Sequence, residues 1–392
     1  MTQALKGIQV LDFTHVLAGP IATNHLALQG ADVIKVESAA GDTMRNYGGQ
    51  AFADGLAPSF VSVNAGKRSI VLDLKRGDHL DIARRLVARA DVVMENFRPG
   101  VMDRLGLGYD ACRALRPDIV YCSVSGFGQA GPLKGHPAID QIIQSMSGLM
   151  TLSGEAGSPS MRVGFPIVDT FTGLLAAFAT TAALLERART GQGQMVDVAM
   201  LDAALVMMVS VAGPCLAAGV RPRKQGNLGY SNSPTADTFP TASGEITLGV
   251  VRQDQFEKFC HAIERSDLPE DERFLDRHAR QKNGAALRSE LIATLARHTA
   301  LEWELRLGRA GVAASAVREV HEALEHPQVA QRGLRRNVRL PDGQLTQVLG
   351  AGFTGRGHEA ADSAPPPRLG EHTRQVLAEL GCAPAEIEQL CA

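Results

Sequence analysis

The chain has 392 residues, enough for two or three domains with at least one sizeable core. Hydrophobic residues at 45% and charged residues at 21% lie near the average of folded proteins, which sets aside disordered, coiled-coil and collagen-like classes. Forty Lys and Arg against forty-two Asp and Glu leave a net charge of −2 and aromatics are only 5%, so a nucleic-acid partner, which calls for a basic surface and stacking rings, is set aside as well.

In chain order, Ile8–Phe13, Asp32–Val36, Ser69–Leu74, Val92–Glu95 and Ile119–Val124 are Val- and Ile-rich runs that predict buried strands. Between them the spacing predicts helices over Ile21–Gln29, His79–Arg89 and Val101–Leu115. Alternation of this kind predicts an α/β fold with a mostly parallel, doubly wound sheet. A long helical pattern spans Asp169–Arg189, with Pro166 just ahead and Asp169 where an N-cap belongs; it ends at Gly191-Gln192-Gly193, before the apolar run Gln194–Met200.

Gly, Pro, Asn and basic residues take over at 212–232, which predicts a linker after a first domain over 1–211. A small α+β domain is predicted at 233–325. Its hairpin is Ala236–Phe239 and Glu245–Val251 around Thr241–Gly244, and its helices are Gln253–Glu264, Ala285–Arg297 and Ala300–Ala310. A second linker at 326–360 leads to a C-terminal segment, 361–392, with a last helix at Glu371–Leu380.

The opening MTQALKGIQVLDF lacks the basic region, apolar run and cleavage site of a signal peptide. No apolar run approaches the roughly eighteen residues of a membrane span; the longest candidate, Leu201–Val211, carries Asp202 and stops at Gly213-Pro214. Six cysteines without CxxC spacing fit a reducing compartment, so the expectation is a cytoplasmic protein with no membrane partner.

Most motifs lead nowhere. Gly126–Gly131 is a literal GxGxxG after a strand, but Pro132 and Pro137 interrupt the helix a dinucleotide pyrophosphate would need. Gly66-Lys67-Arg68-Ser69 lacks the earlier glycine of a phosphate loop and runs into a strand. His321 and His326 are five apart, about 140° round a helix, where zinc pairs use a spacing of four, so no metal is expected. There is no GxSxG, and no cysteine has an evident activating neighbour. Asp169 remains, under two compatible readings: a helix cap, or a carboxylate kept ionised by the helix dipole and available as a nucleophile, with Gly164 leaving room for a ligand.

Several segments together resemble the class III CoA-transferase family, which includes formyl-CoA and carnitine CoA-transferases, succinyl-CoA-dependent dicarboxylate transferases and α-methylacyl-CoA racemases. They are Gly7–Pro20, Gly30–Glu37, Asn64 with Lys67–Ser69, Glu95–Gly100, Arg189–Gln194 with Val196–Met200, and Leu369–Thr373. The resemblance spans nearly the whole chain. It implies that Asp169 is the catalytic aspartate, carrying CoA as an aspartyl thioester between two carboxylic acids. It implies CoA contacts from His15, Val16, Leu17 and Ala18, from Leu72 and Lys75, and from Asn96, Phe97, Arg98 and Arg104. CoA is then substrate, and neither metal nor other cofactor is needed. The implied fold is a Rossmann-like large domain with a small domain between its parts, in an interlocked homodimer.

Departures bear on the substrate. Leu17 replaces a glutamine of formyl-CoA transferase, and only Gly226-Asn227-Leu228-Gly229 stands where that enzyme has a glycine run, which weakens an oxalate-specific reading. The resemblance implies that Asp140 and His136 border the acyl site. Succinyl-CoA as donor and itaconate, mesaconate or citramalate as acceptor is the expected pairing. The alternative is an acyl-CoA racemase using His136 and Asp169 as an acid/base pair.

Overall fold

The structure, a computed structural model, describes residues 3–47, 52, 56–355 and 364–391. The chain divides into two compact units: Met1–Met150, Arg162–Val220 and Pro327–Ala392 form the first, and Thr151–Met161 with Arg221–His326 the second.

In the first unit, strands β1 (Gln9–Asp12), β2 (Asp32–Glu37), β3 (Arg68–Val71), β4 (Val92–Glu95), β5 (Val120–Ser125) and β6 (Met195–Ala199) form one sheet in the order β3-β2-β1-β4-β5-β6, every pair parallel. Their Val- and Ile-rich sequences follow from having both faces covered. On one face Leu11, Ile34, Ile70, Val93 and Tyr121 pack with Ile82, Leu86, Val376 and Leu377. On the other, Val10, Val33, Val92 and Cys122 meet Ala22 and Leu26 of the Ala18–Ala27 helix and Ala176, Ala177 and Leu184 of the Ile167–Thr190 helix. By length and composition alone that 24-residue helix would also suit a membrane span. Thr and Gly punctuate it, so its sequence is not an unbroken apolar run.

The outer edge of β3 is occupied by the C-terminal segment. His372 N–H donates to the Ser69 carbonyl at 2.9 Å, and Val71 N–H to Thr373 Oγ1 at 3.1 Å, so the edge strand's backbone is satisfied.

Four predicted boundaries are corrected. The helix expected over Val101–Leu115 is two, Val101–Arg104 and Tyr109–Leu115, because Gly106 turns the chain at φ +68 and the Cβ position of Gly108 lies 1.9 Å from Asp103, leaving no room for a side chain. The stretch 212–232 opens inside a helix, Val209–Ala218, which holds Pro214 and ends at Gly219, φ +64. The stretch 326–360, read as a linker, contains strands at Arg335–Arg339 and Leu345–Leu349, paired antiparallel, with Val338, Leu340 and Val348 in a core with Met44 and Phe60; residues 356–360 lie outside the described residues. After the last expected helix, observed at Thr373–Glu379, comes another at Pro384–Leu390.

The second unit has its own three-stranded antiparallel sheet, Thr238–Pro240, Glu245–Leu248 and Ala314–Ala316, the last strand unforeseen. Phe239, Phe256, Phe259, Trp303 and Leu291 fill its core, and Trp303 Nε1 donates to the Leu295 carbonyl at 2.8 Å.

Candidate active site

In a sheet of this order the crevice opens at the C-terminal ends of β1 and β4, where the connections leave in opposite directions. Two segments singled out in the sequence meet there. The His15 N–H donates to Asn96 Oδ1 at 2.9 Å and the His15 carbonyl accepts from Asn96 Nδ2 at 2.8 Å, while the rings of His15 and Phe97 lie 5.2 Å apart. Burial lowers the His15 pKa, which leaves the imidazole neutral at physiological pH.

Val16 follows in the left-handed region at φ +68, an uncommon conformation for a β-branched residue, with its side chain exposed. Buried charges hold it there. Asp42 Oδ1 accepts the Val16 N–H at 3.2 Å; Lys35 Nζ donates to the Thr14 carbonyl at 2.7 Å and pairs with Asp42 at 2.9 Å. Beneath them Asp12 accepts from Thr14 and Thr23 and pairs with Lys67 at 3.2 Å; Lys67 also donates to Pro20 O, Thr23 Oγ1 and Asn64 Oδ1. Burial opposes the charge on Asp12, but Lys67, Lys35 and the two threonines outweigh it and keep the pKa low. Burial pulls Lys67 down to about 8, still protonated at neutral pH. Asp12, Lys35, Asp42 and Lys67 were missed as site residues. For Asp12 and Lys35 the signal was a charge inside an apolar strand, as in Val33-Ile34-Lys35-Val36; Lys67, just ahead of β3, and Asp42, in the turn after β2, carried no such mark.

Leu17 occupies the N-cap of the Ala18–Ala27 helix without a side-chain cap, and Ala18 is buried. That helix crosses the Ile167–Thr190 helix closely: a Cβ on Gly173 would lie 2.6 Å from the Ala18 carbonyl oxygen and 2.7 Å from Ile21. Asp169 stands one helical turn before Gly173, so the His15–Ala18 loop and Asp169 flank one helix crossing.

Asp169 itself corrects an expectation. It is the third residue of its helix and not the cap; the preceding Pro166 offers no cap hydrogen bond. The capping group comes from elsewhere: Asp140 Oδ2 accepts the N–H groups of Val168 at 2.8 Å and of Asp169 at 3.1 Å, and Gln144 donates to Asp140 Oδ1. Among the described residues no hydrogen bond reaches the Asp169 carboxylate. Burial, then the charge of Asp140, push its pKa up to about 7, the opposite of the dipole-lowered value expected.

The remaining predicted residues are spread. Leu72 is buried in the core with its N–H on the Glu37 carbonyl, so its side chain faces inward. Lys75, Arg98 and Arg104 are exposed, and among the described residues none forms an ion pair; Arg104 Nη1 lies over Gly100, 3.4 Å from its Cβ position. His136 is exposed in a turn, its N–H on the Leu133 carbonyl. Gly128 and Gly131 turn at φ +84 and +89, and no helix follows until Asp140, so Gly126–Gly131 is a loop without the helix N-terminus of a dinucleotide site.

Comparison with known proteins agrees with this architecture. Residues 5–373 match CoA-transferase family III. The chain is 36% identical over 387 residues to a succinate–glutarate CoA-transferase of Agrobacterium fabrum, covering 96% of this chain and 95% of that one. It is 35% identical over 390 residues to a succinyl-CoA:mesaconate CoA-transferase of Haloarcula hispanica, covering 96% of each. The crystal structure of a CaiB/BaiF family protein from Brucella suis superposes with a TM-score of 0.87 at 34% identity, over 97% of this chain and 100% of that chain. With a parallel sheet, a crevice at its switch point and matches running from end to end, the chain belongs to the class III CoA-transferases and is an enzyme of that family.

Proposed function

We propose that the enzyme moves CoA from succinyl-CoA to a short dicarboxylate through a thioester on Asp169. The observation that carries this is a half-buried carboxylate that, among the described residues, receives no hydrogen bond and has a pKa pushed up to about 7. Such a carboxylate is a stronger base, and so a stronger nucleophile, than a solvated one, and about half of it is ionised at neutral pH.

Asp169 attacks the thioester carbonyl; the C–S bond breaks, leaving a mixed anhydride and CoA thiolate. The thiolate attacks the aspartyl carbonyl and releases the first acid, forming aspartyl-CoA. The acceptor carboxylate attacks that thioester, and the departing thiolate takes its acyl group from the second anhydride, which regenerates Asp169. One thioester replaces another, so no metal or nucleotide is called for.

CoA would lie along the His15–Ala18 loop and Asn96–Phe97, with the exposed Lys75, Arg98 and Arg104 offered to its phosphates and Leu72 contributing backbone. Binding remote from the carbonyl positions the thioester. Asp140 borders Asp169 as the helix cap, and the exposed His136 would meet the acyl group only from outside. The charged neighbour of Asp169 is Asp140, an acid, which favours transfer over racemisation by a His136–Asp169 pair.

The relatives named for glutarate and mesaconate support a dicarboxylate acceptor, with itaconate and citramalate of similar shape. Apolar side chains left bare on the first unit, Phe178 at 70% and Leu216 at 89% exposure among them, support burial against a second copy, as in the interlocked homodimer. Six free thiols, four of them buried, suit the cytoplasm.

The test is succinyl-CoA with a panel of carboxylic acids, read by mass. Glutarate, mesaconate, itaconate or citramalate should gain CoA, hydroxylamine should trap Asp169 as its hydroxamate, and Asp169→Ala should lose roughly 10⁴-fold in rate. An Asp169→Ala enzyme with unchanged activity would sink the mechanism; α-deuteration of an acyl-CoA without an acceptor acid would favour the racemase.

A further inference from the structure

Glu95 ends β4, pairs in register with Ser123 of β5, and Ser123 pairs with Asp197 of β6, so three polar side chains form a row on the face that carries Val93 and Tyr121. Glu95 is 5% exposed. One of its carboxylate oxygens accepts the Phe97 N–H at 2.8 Å and the other accepts the Ser123 hydroxyl. Ser123 Oγ accepts the Gln129 side-chain amide at 2.7 Å, and the Gln129 N–H donates to Asp197 at 2.8 Å. A continuous run of hydrogen bonds therefore joins the Gly126–Gly131 loop, through Ser123 and Glu95, to Phe97, whose ring lies against His15.

An anion suits both ends of this run as it stands. A carboxylate accepts from Phe97 and Ser123 together and leaves Ser123 free to accept from Gln129. Once Glu95 takes a proton on the oxygen facing Ser123, that hydrogen bond reverses, the Ser123 proton loses its acceptor, and the hold on Gln129 weakens. The charges acting on Glu95 are Asp103 and Asp197, both acidic, and Tyr121 and Cys122 are its titratable neighbours. Burial pushes its pKa up to about 7 against the hydrogen bonds from Ser123 and Phe97, so it titrates near neutrality.

We propose that Glu95 is a positioning residue for the crevice between β1 and β4: ionised, it locks Phe97, and with it His15, to the Gly126–Gly131 loop, and neutral, it releases them. This rests on the reading of that crevice as the CoA site.

The test is calorimetric binding of free CoA between about pH 6 and pH 8.5 in an Asp169→Asn background, where Asp169 no longer titrates. The parent should bind about tenfold more tightly at the alkaline end, beyond the contribution of CoA's own phosphate, which is common to all variants. Adding Glu95→Gln should leave the weak affinity at every pH, and Glu95→Asp should restore part of the pH dependence. Ser123→Ala should weaken binding at high pH about threefold, and it decides the matter if melting shows that Glu95→Gln does not fold. Folded Glu95→Gln with the parent's affinity and pH dependence, or Ser123→Ala with unchanged affinity, overturns the proposal while the CoA reading stands. Failure of the parent and of the unsubstituted enzyme to bind CoA at all overturns both.

Discussion

Asp12, beneath the His15–Ala18 loop, and Asp169, on the long helix that crosses next to that loop, have opposite electrostatics. Asp12 is fully buried yet stays ionised, because Lys67, Lys35, Thr14 and Thr23 supply more than burial takes away. Asp169 is only half-buried yet titrates near 7, because burial and then the carboxylate of Asp140 disfavour its charge, and the helix N–H groups of Val168 and Asp169 are taken by Asp140. Partners, more than depth, decide which aspartate is a fixture and which is left reactive. The first builds the loop; the second is kept free for chemistry.

The same substitution at both sites should therefore act with opposite sign, and the larger effect is at Asp12. Asp12→Asn turns an acceptor oxygen into a donor amid donors and leaves Lys67 buried with neutral partners alone, a loss of about 3–5 kcal/mol in urea unfolding. Because the folded pKa of Asp12 lies below its ordinary value, its contribution is present above the unfolded pKa and is lost only as pH falls through the lower folded value. The deficit should thus be present in the neutral range and shrink in strong acid; a variant as stable as the wild type at about pH 7 would mean Asp12 is not the fixture.

Next in size is the seam between the two regions. Gly173→Ala places a methyl group 2.6 Å from the Ala18 carbonyl, and backbone on that side cannot swing away as a flexible side chain would. A loss of about 1–3 kcal/mol is expected, with the His15–Ala18 loop and Asp169 displaced together. Thermal melting and the CoA affinity should fall in parallel; a drop in stability with affinity intact would separate the two regions.

What was legible in the sequence follows the same division. The parallel sheet and the Ile167–Thr190 helix could be read because both repeat a short-range pattern: continuous Val and Ile for strands buried on two faces, a 3.6-residue stripe for the helix. The hairpin at Arg335–Arg339 and Leu345–Leu349 was not, since Leu345 and Leu349 face outward, Arg336 faces inward, and only Val338 and Val348 are apolar residues buried within its strands. Asp169, His15 and Asn96 could be singled out through motif resemblance. The cap from Asp140 and the ion pairs of Asp12 and Lys35 could not, because each joins groups that only the folded chain brings together.

At Asp169 the expected change is smaller and favourable. Its folded pKa, about 7, stands above the ordinary 3.8, so the acid stabilises the fold fully below the unfolded pKa and loses that advantage as pH rises through 7. Above that pH the wild type carries a penalty that Asp169→Asn lacks. The variant should be inactive and more stable by on the order of 1–2 kcal/mol at about pH 8, and no more stable at about pH 4. A stabilisation independent of pH would assign the gain to something other than this carboxylate.

The smallest effect tests whether the ion pairs around Asp12 store strain in the loop above them. Val16 sits at φ +68 with 41% of its side chain exposed, so Val16→Asn surrenders little packing and adopts the left-handed backbone more readily. A gain of up to about 1 kcal/mol is expected, since the N–H bond to Asp42 is kept. The strain exists only while Asp42, Lys35 and Asp12 hold the loop in place, so the gain should vanish when Val16→Asn is combined with Asp12→Asn. An undiminished gain in the double variant would mean that the loop takes this conformation by itself, and that the buried charges support the sheet ends without shaping the crevice.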